Sequence, residues 1–141
     1  MTGRLYPECV GLSHVAVVVR DLDAAERFYV ELLGLRLVTR HLDGDGRHRS
    51  TWVALDGDRF LAIERAGRDA PRRHDEAPGH HCLALRIRAA DRSGWVDALT
   101  NGGVAIERMS AFTLYVRDPD GALIGLSHYP EPSTTPGAGT G

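Results

Sequence analysis

Few side chains in this 141-residue chain sit where their type and spacing could do chemistry. His14 lies inside the apolar run LSHVAVVV, and an imidazole there can ligate a metal or carry a proton near neutral pH. Arg86 alternates with Leu85 and Ile87, so its guanidinium could hold an anionic group on the face those two avoid. Trp52 is able to stack a ligand, although a strand tryptophan also serves as core. Cys9 and Cys82 are the only cysteines, too few for a disulfide framework, and two reduced thiols are expected. Asp118-Pro119-Asp120-Gly121 offers two carboxylates, but its residue types are those of a turn.

The elements that must position these groups can be read from periodicity. Ser13, Val15, Val17 and Val19 alternate with Leu12, His14, Ala16 and Val18, which predicts a strand. Asp23 and Glu26 have capping-box spacing ahead of a helix with Ala25, Phe28, Leu32 and Leu33 on its apolar side, closed by Gly34. A helix tied to a strand by so short a turn lies against one face of the sheet. The valine stripe is its natural partner, and His14 is left on the uncovered face. Strands are then expected over 36–40, 50–55 and 59–65, after the polar turn HLDGDGRHR.

Residues 66–79 are charged, proline-containing and without periodicity, which predicts a linker. The order then repeats: a strand over 81–87, a helix over 91–101 carrying Trp95, Val96 and Leu99 inward, and strands over 104–108, 111–117 and 122–129. His14-Val-Ala-Val-Val-Val-Arg runs parallel to Cys82-Leu-Ala-Leu-Arg-Ile-Arg. This predicts an α+β fold, two paired βαβββ units (about 11–65 and 80–129) in a single domain over 1–130, with a loose tail over 131–141.

Composition narrows the function classes. With 43% hydrophobic and 26% charged residues, one ordinary globular domain is expected. All 17 basic residues are arginine and they are scattered, which argues against a nucleic-acid surface. No apolar run approaches the roughly 20 residues of a membrane helix, and the N-terminus has no signal-peptide core, so a cytoplasmic protein is the default.

The segments HVAVVVRDLDAAERFYVELLGL and YVRDPDGALIGL, together with the repeat, resemble the vicinal oxygen chelate superfamily of glyoxalases, extradiol dioxygenases, epimerases, fosfomycin-resistance enzymes and bleomycin-resistance proteins. The resemblance implies a cupped mixed sheet with helices on its outer face, a small-molecule ligand or substrate and a homodimer. It also implies a divalent metal (Zn, Ni, Mn or Fe) near the strand ends. The family's four metal positions fall on His14, Glu64, Cys82 and Gly125. Where metal-dependent relatives usually carry histidine and glutamate, this chain has Cys82 and Gly125, which leaves His14, Glu64 and a thiol as the metal set. Zinc accepts such a trio with an open fourth place. A bulge before the strand would bring His80 or His81 toward the missing ligand place.

The expected cup is lined by His14, Phe60, Glu64, Cys82, Arg86, Leu123 and Gly125, with Trp52 available for stacking. Two readings stay open. In one, a metal-free cup binds a drug-like compound, as in the bleomycin-resistance branch. In the other, a metal-dependent lyase, isomerase or dioxygenase uses Glu64 to move a proton.

Overall fold

The computed structural model describes residue 3 and residues 5–133; residues 134–141 of the expected tail lie outside the described residues. The first unit runs β1 (His14–Val19), α1 (Leu22–Glu26, continued by a π-helical stretch Arg27–Leu32), β2 (Leu37–Leu42), β3 (His48–Ala54) and β4 (Phe60–Arg65). The second runs β5 (Leu83–Arg86), α2 (Arg92–Asn101), β6 (Arg108–Met109), β7 (Thr113–Arg117) and β8 (Leu123–Ser127). Each unit builds its own four-stranded mixed sheet, β1-β4-β3-β2 in sheet A and β5-β8-β7-β6 in sheet B. The first and last strands of each unit pair in parallel. The paired βαβββ architecture is therefore present, with the strands of the described residues divided between two sheets and with β1 and β5 as edges.

Alternation decides which face each helix covers. Val15, Val17 and Val19 on β1, Leu61 and Ile63 on β4, and Val53 on β3 turn to the helix side. Ile87, Leu114, Val116, Ile124 and Leu126 do the same in sheet B, and all join one hydrophobic cluster with Phe28, Tyr29 and Leu99 from the helices. The two units therefore meet through their helix-bearing faces. Tyr29 marks the junction, donating its hydroxyl to Asp118 Oδ2 at 2.7 Å across the units. Leu99 and Phe28 are buried as expected, while Leu32 and Trp95 are partly buried against the same cluster.

Local chemistry differs from expectation at two places. Asp21, not Asp23, caps α1, accepting the backbone N–H groups of Asp23 and Ala24 at 2.9 and 3.1 Å. This frees Glu26 to bind Arg40 through two hydrogen bonds of 2.8 Å and to accept the Thr51 hydroxyl at 2.6 Å. Of the strand expected over 104–108, only Arg108 lies in the observed two-residue β6, while Val104 and Ile106 pack against the core. The segment 66–79 has no regular structure and is tied to the second unit by an Asp75–Arg117 ion pair at 2.9 Å. Among the described residues, no helix is long and apolar enough to cross a membrane.

Candidate functional site

The face of sheet A turned away from the helices carries a row of four rings. Strand register places His14 beside Phe60 and Ala62 beside Trp52, on the side opposite the valine stripe. His14 stacks on Phe60 with centroids 4.6 Å apart and planes 6° from parallel, and Trp52 stacks on the same ring at 4.2 Å. His41 on β2 closes the row, its ring edge against Trp52 at 4.6 Å. The row is an apolar strip bounded at both ends by imidazoles. His14, Ala16 and Val18 on the edge strand are exposed, Val18 by 65%. Nothing among the described residues covers them.

One flank of the row is polar. Ser50 pairs in register with both His41 and Glu64, so the three side chains share this face. His41 Nε2 and Ser50 Oγ are buried without a protein hydrogen-bond partner. Leaving such a group unpaired costs about 1–3 kcal/mol, so its retention needs a reason. Sequence reasoning missed His41 and Ser50. His41 looked like part of a polar loop, and only the register of β2 against β3 reveals its face.

The corresponding face of sheet B has a different floor. Cys82, Ala84 and Arg86 alternate away from the core, and Ala84 pairs with Gly125, which pairs with Tyr115. A Cβ on Gly125 would meet Thr113 Cγ2 at 3.0 Å, Cys82 Sγ at 3.5 Å and Ala84 Cβ at 3.6 Å. The centre of this face is therefore a floor of small groups. Leu123, one alternation from Gly125, is buried beside it. Burial pushes the Cys82 thiol up, against the opposing effects of the Gly125 amide and of Arg108 and Arg117. A raised thiol stays protonated at neutral pH and is a poor metal ligand.

The residues present do not fit the divalent ion that the family resemblance implies. His14 and Glu64 share a face, but His14 is level with Phe60 and Glu64 is level with Val18, four residues further along β1. At roughly 3.3 Å per residue that is about 13 Å, too far for one ion. Beside His14 stands a phenyl ring instead of a donor. Cys82 belongs to the other sheet, and Gly125 has no side chain. His80 and His81 precede β5 and are exposed. Among the described residues, no group of three or more His, Cys, Asp or Glu is assembled to hold a metal.

Comparison with known proteins agrees with the architecture. The profile of the Glyoxalase/Bleomycin resistance protein/Dioxygenase superfamily matches residues 11–126, and the chain belongs to that superfamily. A protein from Actinomyces sp named 2-epi-5-epi-valiolone epimerase is 28% identical over 162 residues, covering 92% of this chain and 85% of its own. A glyoxalase/dioxygenase from Nostoc punctiforme superposes with a TM-score of 0.72 at 19% identity, covering 89% of this chain and 96% of its own. The fosfomycin resistance protein FosX from Listeria monocytogenes, complexed with Mn(II) and sulfate ion, has a TM-score of 0.63 at 17% identity, covering 85% and 90% respectively.

Proposed function

We propose that this protein binds a small organic molecule in a cup closed by two copies of the chain, without relying on a tightly held divalent metal. The ring row His14-Phe60-Trp52-His41 carries this reading. Its strip is apolar, open on one side and furnished with unpaired polar atoms at one flank, which is the composition of a small-molecule site. Because the helix-bearing faces are spent on packing the two units together, the open faces of sheets A and B point away from each other in one chain. A second copy supplies the missing wall, laying its sheet B face over the sheet A face of the first.

The test uses 2-naphthol, a planar neutral probe, followed by titration calorimetry. Wild-type protein binds it, and Trp52→Leu or Phe60→Leu weakens binding at least tenfold while circular dichroism is unchanged. Equal binding by wild type and both variants would overturn the reading.

A second reading, a cup that epimerises its ligand, is favoured by the 28% identity to the Actinomyces epimerase. Glu64 is then the proton carrier, with His41 and Ser50 holding the substrate's oxygens. Solvent deuterium incorporation into 2-epi-5-epi-valiolone, lost in Glu64→Gln, separates the enzyme from the binder.

A further inference from the structure

Sheet B's open face carries positive charge that the described residues do not neutralise. Three arginines border the small-group floor: Arg86 on β5, Arg108 on β6 and Arg117 on β7. Arg117 is consumed by Glu107 at 2.7 Å, Asp75 at 2.9 Å and the Gly121 carbonyl at 3.1 Å. Arg86 and Arg108 have no carboxylate within ion-pair distance among the described residues. Arg108 nevertheless has a fixed place, its guanidinium lying 4.3 Å above the centre of the Tyr115 ring. Tyr115 is the register neighbour of Gly125, so this guanidinium, although solvent-exposed, stands beside the floor. A guanidinium held over a ring keeps N–H groups free to bond an anion, and the ring contact limits the rotamer freedom it has left to lose.

From this arrangement we infer that the Gly125 floor is an anion subsite. Arg108 receives a carboxylate or phosphate group of the ligand, and Arg86 on the opposite edge strand closes over it. The hydroxyls of Thr113 and Ser127, bonded to each other at 2.9 Å on the neighbouring row, continue the polar lining. Gly125 keeps the centre clear, since any side chain would occupy the space the anion needs. The opposite wall differs in sign. Sheet A's face offers rings and the carboxylate of Glu64, which repels an anion, so the ligand has one orientation: ring system on sheet A, anionic group on sheet B. The ligand class is a planar or cyclic organic acid.

This inference rests on the cup reading, and three probes sharing one ring separate the two: 2-naphthol, 2-naphthoate and 2-naphthyl phosphate, titrated calorimetrically into the full chain. Both anions are expected to bind at least tenfold tighter than 2-naphthol, and a preference between them distinguishes carboxylate from phosphate recognition. Arg108→Gln and Arg86→Gln each lower anion affinity at least fivefold and leave 2-naphthol unchanged, while Arg108→Lys retains part of the gain. Anions that bind no tighter than 2-naphthol, or that ignore both arginine substitutions, overturn the subsite while leaving the cup intact. If Trp52→Leu affects none of the three probes, the cup reading itself has failed and the subsite falls with it.

Discussion

At the residue scale, Gly125 and Tyr29 make the sharpest statements. Backbone conformation does not demand glycine at 125, where φ is not positive, so its absence of a side chain is a matter of space and chemistry. Gly125→Glu needs Thr113 to yield by a few tenths of an ångström and places a carboxylate where the chain now offers none. The native protein is expected to bind Mn²⁺ or Zn²⁺ poorly in calorimetry on chelator-stripped protein, and the variant to gain nothing measurable, because its new carboxylate stands beside a protonated thiol and near Arg108 instead of beside further donors. Tyr29 is fully buried, and burial, together with Asp118, holds its phenol far above the ordinary range. It stays protonated and donating at neutral pH. Tyr29→Phe leaves Asp118 Oδ2 without this partner and should cost about 1–3 kcal/mol in chemical denaturation. Asp118 Oδ1 still accepts the backbone N–H groups of Asp120 and Ala122, so the turn itself survives.

Elements explain which parts of the molecule were legible beforehand. Strict alternation in β1, β4 and β5 made the faces of His14, Glu64 and Arg86 readable, because a period of two leaves no choice once one face is apolar. Height along a strand is a different matter, fixed by register with a neighbour. His14 and Glu64 share a face, but register sets Phe60, and not Glu64, level with His14. His41 and Ser50 were hidden for the same reason. Glu26 shows that capping can mislead too: a pattern that fits a capping box was already served by Asp21, and the glutamate braces α1 against β2 and β3 instead. Chiefly through its hydrogen bonds to Arg40, and against burial, the Glu26 carboxyl is lowered from 4.5 to about 2. Its contribution is thus fully present above about pH 4.5 and is lost as pH falls toward 2. Because Arg40 is half exposed, the expected value is about 1–2 kcal/mol. Glu26→Gln should be less stable than wild type by that amount at pH 7, with the gap closing in denaturation curves taken near pH 2.

For the whole molecule, the repeat predicted two units that pair, and they do. What the repeat could not tell is that each unit spends its helix face on the other, leaving two open sheet faces directed apart. Exposed apolar side chains on the A face along its β1 edge, Leu12 and Val18, fit an area covered by a second chain. The cup is then shared, one wall from each copy, and a dimer has two of them. A complementation experiment tests this most directly. Trp52→Leu damages only the sheet A wall and Gly125→Leu only the sheet B wall, so either homodimer is expected to have no working cup for 2-naphthol. Co-expressed chains assort at random, and each mixed dimer has one cup with both walls intact. Calorimetry on the co-expressed protein, checked for dimer mass by light scattering, should recover about a quarter of the wild-type 2-naphthol sites. A monomer that binds 2-naphthol, or a mixture of dimers that recovers no sites while the wild type fills them, would contradict a cup shared between chains.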